Sequence, residues 1–412
     1  MKTLTLTSQN VQKLFDRNLF ARKKGVEEKV RQIIEEVRLN GDEAIVKYTR
    51  RFDKVRLKTR ELQVTENEIS AAFQNITSDF VSDLKVIINN VFSFYKKQIQ
   101  KPYRIRDAEG ILLKENIIPL DTVGIYIPSG TAPLVSTVYM TTIPAKVAGV
   151  KRIIITTPPN KEGQVNPYIL AVANLLKVNE IYKVGGAQAI AAMAFGTKTI
   201  PKVDKIIGPG NMYVTEAKRQ LFGYVDIDML AGPSELAIIA NRHSDADYIV
   251  ADLEAQMEHL GGLGILVTTS KQLLREVRKR VQKGFAIYAQ NIEEAINIVN
   301  KIAPEHLQIM TNNPQNIAHK IKNAGAIFLG PYSPTALGDY AAGPSHVLPT
   351  LGTARFFSGL CVSDFTKRSH IISYSKRALE KIRDPLVKIA KLEGLVKHYE
   401  SVNIRFNGKD ES

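Results

Sequence analysis

Short apolar runs that alternate with helical patterns constrain the fold of this chain most strongly. From residue 111 onward, ILLKENIIPL, VGIYIP, RIIITTPP, EIYKVGG and VDKIIGPG resemble strands, and helical patterns such as STVYMTTIPAKVAGV and NPYILAVANLLKV separate the later runs. A strand, a helix and a second strand at this rhythm form a right-handed crossover unit, which places the two strands in parallel. A second series of this kind begins near residue 235 with ELAIIA. The pattern therefore predicts an α/β fold with two parallel sheets.

The chain ends differ in texture from this alternation. Residues 1 to about 100 are expected to be helical, because VEEKVRQIIEEVRLNG carries apolar residues at helical spacing and stops at Asn40-Gly41. We predict four regions. They are an N-terminal arm (1–20), a first α/β domain (21–120 plus 233–372), a second α/β domain (121–232) and a C-terminal helical tail (373–412).

Composition narrows the class of protein. With 412 residues, a sizeable core is available, and one cysteine excludes an internal disulfide. No uninterrupted apolar run approaches the about 18 residues of a membrane span. The net charge of +15 is compatible with an anionic partner. Its basic residues are dispersed and lack interleaved aromatic residues, which argues against nucleic-acid binding. We expect a soluble, cytoplasmic protein without a nucleic-acid or membrane partner.

Three glycine-rich stretches follow strand-like runs: IPSGTAP (127–133), VGGAQA (184–189) and GPGNMYV (208–214). In parallel sheets, ligands bind beyond the carboxyl ends of the strands, and glycine lets main chain approach a phosphate. None of the stretches is the G-x-G-x-x-G fingerprint. They indicate a nucleotide or phosphate crevice, with tight strand-to-helix turns as the alternative.

The stretch QMEHL suggests half of a metal site. Gln256 and His259 are three residues apart on an expected helix and share a face, whereas Glu258 points elsewhere. A histidine and an oxygen ligand suit zinc. Further ligands could come from Asp339, His346 or His398, the first two in a Gly- and Pro-rich loop expected after a strand. The alternative is a helix end with a satisfied histidine.

The stretch APEHL suggests acid/base chemistry. Pro304 is expected to break the preceding helix, so that Glu305 and His306 both reach one crevice from the helix end or the next turn. Histidine is the natural general base near neutral pH, and the alternative is a cation at a helix terminus. The remaining candidates are weaker. We interpret Cys361 as a packing residue and read three histidines as surface residues: His243, His319 and His370.

The motifs together resemble the histidinol dehydrogenase family. They are VGIYIPSGTAPL, KVGGAQAIAAMAFGT, IIGPGNMYVTEAKR, DMLAGPSELAIIA, DLEAQMEH, APEHLQI, SPTALGDYAAGPSHVLPT and EGLVKH, in order from about residue 120 to 400. The resemblance implies two Rossmann-like domains of the aldehyde dehydrogenase-like type, with a helical N-terminal segment and a small C-terminal dimerisation segment. It also implies oxidation of L-histidinol to L-histidinaldehyde and then to L-histidine with two NAD⁺ and one zinc ion per subunit.

Residue roles follow from the same resemblance, motif by motif. The zinc ligands correspond to Gln256, His259, Asp339 and His398. Glu305 and His306 correspond to the acid/base pair, with His306 as general base and Glu305 activating water. Substrate contacts correspond to Ser234, His346 and Glu393, and NAD contacts to Tyr126, Gln188 and Asn211. The resemblance further implies a homodimer in which His398 and Glu393 complete the partner's site.

Two residues depart from the family motifs. Ser129 stands where glycine is common, and Lys397 precedes His398 where a small residue is usual. Neither removes a ligand, although the first bears on the turn at the NAD pocket and the second adds a cation beside a zinc ligand. Two rival functions stay open at this point, namely a zinc hydrolase of a small amide that uses Gln256, His259 and Asp339, and a basic nucleic-acid-binding protein.

Overall fold

The structure of this protein is a computed structural model that describes residues 1–4, 9–17, 25–74, 76–129 and 133–406. Its strands are β1 (Lys2–Leu4), β2 (Arg104–Arg106), β3 (Leu112–Pro119), β4 (Thr122–Tyr126), β5 (Arg152–Thr157), β6 (Ile181–Lys183), β7 (Lys205–Ile207), β8 (Asp226–Ile227), β9 (Glu235–Ala240), β10 (Leu263–Thr268), β11 (Phe285–Tyr288), β12 (His306–Met310), β13 (Ala326–Leu329) and β14 (Thr366–Ser373). Its helices are α1 (Gln9–Phe15), α2 (Val26–Asn40), α3 (Asp42–Phe52), α4 (Glu66–Gln74), α5 (Ser78–Lys96), α6 (Val135–Ala148), α7 (Pro167–Leu175), α8 (Gly186–Phe195), α9 (Met212–Leu221), α10 (Ala246–Glu258), α11 (Lys271–Arg280), α12 (Ile292–Ile302), α13 (Pro314–Ala318), α14 (Thr335–Tyr340), α15 (Lys376–Leu392) and α16 (Val396–Asn403).

The chain divides into two compact units. The first comprises Met1–Ile99 and Leu120–Phe365, and the second comprises Gln100–Pro119 and Thr366–Ser412. The first unit contains both parallel sheets, so the predicted α/β class with two parallel sheets is confirmed. The domain limits drawn from the sequence remain a prediction.

The first parallel sheet has five strands in the order β6-β5-β4-β7-β8. Residues of its central strand β4 alternate between two cores, with Val123 and Ile125 in one and Tyr126 in the other. A parallel strand that is buried on both faces is a continuous apolar run, which explains why VGIYIP was recognisable. Gly124 lets α8 pack closely on β4, because a Cβ atom there would lie 2.5 Å from the sulfur of Met193.

The second parallel sheet has six strands in the order β1-β11-β10-β9-β12-β13. Its strand β9 also alternates between two cores, with Ala237 and Ile239 on one side and Leu236 and Ile238 on the other. The edge strand β1 comes from the first residues of the chain and pairs with β11. The expectation of a purely helical first hundred residues is therefore wrong at Lys2–Leu4, where three residues are too few to carry a periodicity.

The second unit contains an antiparallel sheet in the order β14-β3-β2, followed by α15 and α16. Strand β3 is the extended run ILLKENIIPL, but it does not join a parallel sheet. Only Leu120 and Asp121 separate it from β4, whereas parallel neighbours need a crossover of about a dozen residues or more. Within the described residues, the helices include none that is both long enough and apolar enough to cross a membrane.

Candidate active site

The main chain of Glu235, the first residue of β9, holds two side chains at the start of β12. Its N–H donates to Glu305 Oε2 at 2.8 Å, and its carbonyl accepts from His306 Nδ1 at 3.1 Å. The Glu305 carboxylate and the His306 ring are themselves adjacent, with 3.6 Å between Oε2 and Nδ1. All three residues are buried. This geometry brings the predicted acid/base pair together in a water-poor environment.

The local chain path explains how both side chains reach one place. Helix α12 ends at Ile302, Ala303 takes a left-handed conformation (φ 48°), and Pro304 prevents the helix from resuming. Gly325 admits the neighbouring strand, because a Cβ atom there would lie 2.6 Å from the carbonyl oxygen of Glu305. The predicted break is confirmed, but His306 lies on neither the helix end nor a turn. It is the first residue of a strand.

The position in the sheet was not predicted from the sequence. The carboxyl ends of strands were predicted to hold a nucleotide or phosphate, and Glu235 and His306 both lie at the amino ends of β9 and β12. The acid/base pair thus occupies the opposite edge of the six-stranded sheet from the one that parallel sheets commonly use for ligands.

Burial and mutual charge set the protonation of the pair. Burial raises the pKa of Glu305 to about 7, against the opposing effect of His306. Burial alone would lower the pKa of His306, but Glu305 and Asp339 outweigh it and raise that pKa to about 9. Each group thus favours the charged form of the other, and the pKa of Glu305 lies near neutral pH.

Asp339 lies on the other side of the His306 ring. Its Oδ1 is 3.5 Å from His306 Nε2. Burial raises the pKa of Asp339, but the neighbouring histidines outweigh this effect, so the pKa lies below its ordinary value. Helix α14 carries Asp339 and packs tightly on β13, since a Cβ atom at Gly338 would lie 2.5 Å from the ring of Phe328. The expectation that Asp339 lies in a loop is therefore wrong. The short helix gives this carboxylate a fixed direction.

His346 connects the cluster of Glu305, His306 and Asp339 to α6. Its Nδ1 donates to the main-chain oxygen of Asp339 at 2.9 Å, and its Nε2 lies 3.2 Å from Thr137 Oγ1. Because a carbonyl can only accept, Nδ1 carries the proton and Nε2 accepts from the threonine hydroxyl. Burial lowers the pKa of His346, which keeps the ring neutral. A second contact from α6 lies nearby, where the Tyr139 hydroxyl donates to the carbonyl of Tyr340 at 2.9 Å.

Gln256 and His259 lie at the end of α10. Gln256 is buried, and its Nε2 has no hydrogen-bond partner among the described residues. The helix ends at Glu258, so His259 follows it with extended backbone (φ −65°, ψ 137°) rather than sharing a helical face with Gln256. The turn at Gly261 and Gly262 folds back on this end, with the Gly262 N–H donating to the His259 carbonyl at 2.8 Å.

His259 is nevertheless within electrostatic reach of the cluster. It is exposed, and its charge lowers the pKa of both Asp339 and His346. Glu258 is also exposed, as expected for a residue that takes no part in the site.

The donor set of this region fits a divalent cation in part. Within the described ranges, no group of three or more His, Cys, Asp or Glu side chains is arranged to hold a metal ion. The His259 imidazole lies within electrostatic reach of the Asp339 carboxylate, and Gln256, on the last turn of α10 before His259, has a buried amide nitrogen without a partner among the described residues. Oxygen and imidazole ligands suit zinc, and a fourth ligand would complete a tetrahedral set.

Sequence reasoning missed several residues that support the site. Ser234, a predicted substrate contact, is half-buried directly before Glu235, but Glu235 itself was not singled out. Its carboxylate is paired with Arg17, and Arg17 also donates to the carbonyl of Ile302 at 2.7 Å. A charged residue that opens the apolar run ELAIIA was the available signal.

A hydrogen-bonded pair that the sequence did not predict also lies beside the site. Gln308 Nε2 donates to Asp252 Oδ2 at 2.7 Å. Gln308 shares a face of β12 with His306, and Asp252 lies one turn before Gln256 on α10. This pair therefore joins the two elements that carry the acid/base pair and the buried amide.

The predicted NAD contacts lie at the carboxyl edge of the five-stranded sheet. Tyr126 ends β4, and its hydroxyl accepts from the Gly186 N–H at 3.1 Å. Gln188, in the first turn of α8, is buried, and its Oε1 has no partner among the described residues. Asn211 is exposed and caps α9, accepting from the Tyr213 N–H at 2.9 Å. Of the stretch IPSGTAP, residues 130–132 lie outside the described residues.

The second unit carries the remaining two predicted site residues. Glu393 follows the end of α15, and His398 lies on α16; both are exposed. Lys397 is one of the two departures from the family motifs. Its Nζ forms an ion pair with Glu400 Oε2 at 2.7 Å.

The other candidates behave as expected. The Cys361 thiol is half-buried, and burial raises its pKa, so it is a poor nucleophile. Three histidines are exposed: His243, His319 and His370.

Comparison with known proteins identifies the family. A family model described as histidinol dehydrogenase matches residues 18–406. The histidinol dehydrogenase of Clostridium acetobutylicum is 49% identical over 396 residues, which cover 92% of this chain and 91% of that protein. That of Listeria monocytogenes is 48% identical over 400 residues, covering 92% and 93%.

Solved structures agree with these relatives. The crystal structure of histidinol dehydrogenase from Elizabethkingia anophelis matches with a TM-score of 0.92 at 36% identity, over 99% of this chain and 98% of that one. An acetylating aldehyde dehydrogenase from Geobacillus thermoglucosidasius matches with a TM-score of 0.50 at 12% identity, over 89% and 97%, which shows a shared fold alone. The chain belongs to the histidinol dehydrogenase family and catalyses the NAD-dependent oxidation of histidinol in histidine biosynthesis.

Proposed function

We propose that this enzyme carries out both oxidations, from L-histidinol through L-histidinaldehyde to L-histidine, at the cluster around His306. The supporting observation is the hydrogen bond from His306 Nδ1 to the Glu235 carbonyl. Because that carbonyl can only accept, Nδ1 keeps its proton, and Nε2 is the basic atom of the neutral ring. His306 Nε2 therefore takes the alcohol proton in the first step as hydride passes to NAD⁺.

Glu305 acts in the second step. After His306 has released the first proton to solvent, Glu305 takes a proton from a water molecule that hydrates the bound aldehyde. His306 then deprotonates the hydrate as a second NAD⁺ accepts hydride. A general base works best when its pKa lies near the working pH, and burial brings the pKa of Glu305 to about 7. The Glu235 N–H fixes one carboxylate oxygen, which leaves the other for water.

Four side chains are proposed to hold one zinc ion per subunit: Gln256, His259, Asp339 and His398. The ion would orient the substrate imidazole and amine and stabilise developing negative charge on oxygen. The buried amide of Gln256 supports this assignment, because its nitrogen has no partner among the described residues. A half-turn about its last bond would present the oxygen at the same place.

The remaining contacts follow the family motifs. Ser234, His346 and Glu393 are proposed to bind histidinol. For His346, both ring nitrogens already have protein partners, so we assign it a packing contact with the substrate rather than proton transfer. The nicotinamide dinucleotide is assigned to three residues at the edge of the five-stranded sheet: Tyr126, Gln188 and Asn211.

We further propose a homodimer in which Glu393 and His398 serve the partner's site. The supporting observation is the apolar surface of the second unit. Several of its large apolar side chains are exposed in the single chain: Ile372, Ile382, Ile389, Leu392, Val396 and Ile404. The number of exposed apolar side chains on these elements supports a contact with another copy of the chain.

One assay tests the proposal. Histidinol is added to enzyme and NAD⁺, and NADH absorbance is followed until two NADH have formed per histidinol. Activity should disappear with a chelator and return with zinc. Formation of one NADH per histidinol would refute the four-electron assignment, and full activity after proven removal of the metal would refute the zinc assignment.

A further inference from the structure

Three buried polar atoms lie on α3, at its end and on α8, and have no hydrogen-bond partner among the described residues. They are Thr49 Oγ1, Asp53 Oδ2 and Gln188 Oε1. Buried polar atoms in native proteins are almost always paired with protein, water or a ligand. Three such atoms at one place are therefore compatible with water or with a bound ligand, and the chemistry of their surroundings decides between them.

The directions of the helices bring these atoms to one place. At the start of α3, the Asp42 carboxylate accepts from the hydroxyl of Thr199 at 2.5 Å, four residues beyond the end of α8. Side chains of α3 and α8 share one hydrophobic core, so the two helices lie side by side. Eleven and ten residues give almost equal lengths of about 15 Å. The far end of α3, where Asp53 follows the last helical residue, thus lies beside the start of α8.

Two observations agree with this placement. The charge of Asp53 contributes to the raised pKa of Tyr126, whose foremost cause is burial. The Tyr126 hydroxyl in turn accepts from the N–H of Gly186, the first residue of α8. Gln188 Oε1 points to the same spot, since a Cβ atom at Gly186 would lie 2.7 Å from it. Asp53, Tyr126 and Gln188 therefore surround the amino end of α8.

The chemistry of these groups selects part of a dinucleotide. The main-chain N–H groups at the start of α8 suit a pyrophosphate. A carboxylate oxygen needs a donor, and the phosphates of a dinucleotide offer acceptors alone. The ribose hydroxyls beside them are donors. In parallel-sheet dinucleotide sites, an acidic residue commonly binds the adenosine ribose from the next strand.

In this chain the next strand offers no such residue. Strand β7 is followed by Gly208, and Asp228, whose Oδ2 accepts from the Gly208 N–H at 2.7 Å, is already paired with Lys218 at 2.6 Å. Among the described residues near the start of α8, Asp53 has a buried carboxylate oxygen without a hydrogen-bond partner, and it follows a helix much earlier in the chain. Burial raises its pKa to about 6, so it is ionised at higher pH.

We propose that Asp53 accepts a hydrogen bond from the 2′-hydroxyl of the adenosine ribose of NAD and that its charge excludes the 2′-phosphate of NADP. This inference rests on the proposed dinucleotide site around Tyr126 and Gln188. Asp53 is a cofactor-specificity residue and has no part in proton or hydride transfer.

The test compares Asp53→Ala and Asp53→Asn with the wild type and with Glu43→Gln, an exposed carboxylate on the same helix. Dissociation constants for NADH, NADPH and 2′-deoxy-NADH are measured by fluorescence, and KM for histidinol and zinc content are measured alongside. Loss of a hydrogen bond to a charged group should weaken NADH binding about 10- to 100-fold in Asp53→Ala. The KM for histidinol and the zinc content should stay at the wild-type values in the Asp53 variants. The Glu43→Gln variant should bind NADH as tightly as the wild type.

The analogues identify the group that binds Asp53. The Asp53→Ala effect should vanish for 2′-deoxy-NADH, and Asp53→Asn should narrow the preference for NADH over NADPH. The inference about Asp53 would be overturned if both folded variants bound NADH as tightly as the wild type. It would also be overturned if Asp53→Ala lost as much affinity for 2′-deoxy-NADH as for NADH. Neither result would affect the proposed function. A wild type that binds no NADH would overturn the proposed function as well.

Discussion

Replacement of Glu305 by glutamine separates the two oxidation steps. Glutamine has the same shape, and its amide oxygen can accept the hydrogen bond that the Glu235 N–H now donates at 2.8 Å. The fold of the site should therefore persist. What disappears is a negative charge 3.6 Å from His306 Nδ1 and the ability to take a proton from water.

The two losses act on different steps. Without a general base for hydration, the aldehyde step should slow by about 10²- to 10⁴-fold. The rate of the alcohol step should change only through the effect of the lost charge on the pKa of His306. At an effective dielectric constant of about 20, a unit charge at this distance contributes up to about 5 kcal/mol. Its removal should lower the pKa of His306 from about 9 toward its ordinary value, so more of the basic form is present at neutral pH.

Single-turnover experiments measure each step. Variant and wild type are mixed with NAD⁺ and either histidinol or histidinaldehyde, and NADH is followed by stopped flow while a carbonyl reagent traps released aldehyde. From each histidinol, the Glu305→Gln variant should form one NADH and release aldehyde that is trapped. In its pH–rate profile for the alcohol step, the acid limb should lie at lower pH than in the wild type. Glu258→Gln is the matched control, because this carboxylate is exposed and outside the proposed machinery. Equal slowing of both steps at unchanged zinc content would refute the reasoning.

Three further experiments test neighbouring parts of the structure. His306→Asn should lower turnover by at least about 10²-fold while zinc content, measured by elemental analysis, stays at the wild-type level; loss of zinc would make His306 a ligand. A His306→Asn chain mixed with a His398→Ala chain should regain activity, and no recovery despite proven subunit exchange would contradict shared sites. Arg17→Met should lower the free energy of unfolding by about 3 to 5 kcal/mol, because it leaves a buried carboxylate unpaired; urea unfolding should show that adding Glu235→Gln restores most of this loss, and no restoration would assign Arg17 another role.

Much of the fold could be predicted because buried parallel strands are continuous apolar runs. VGIYIP and ELAIIA correspond to β4 and β9, the strands buried on both faces. The partner of a strand cannot be read from its own residues, however. The residues Lys2–Leu4 therefore do not indicate a strand by themselves, and the sequence of β3 does not indicate its antiparallel pairing.

The site was predictable to a lesser degree. Pro304 correctly indicated where α12 must stop, and the family motifs named Glu305 and His306. The support of His306 came from Glu235, which is 71 residues away in sequence, and no local pattern reports a contact of that range. The same limit applies to His259, since helix periodicity could not indicate that α10 ends one residue before it.

The register of the six-stranded sheet explains why chemistry occupies its amino edge. Pairing between β12 and β9 begins with His306 opposite Leu236, so Glu235 extends one residue beyond that ladder. Its N–H donates to the Glu305 carboxylate, and its carbonyl accepts from the His306 ring. Because main chain anchors both groups, their orientation does not depend on the Glu235 side chain. Under the proposed assignment, the base comes from the amino edge of the six-stranded sheet, and the cofactor binds at the carboxyl edge of the five-stranded sheet.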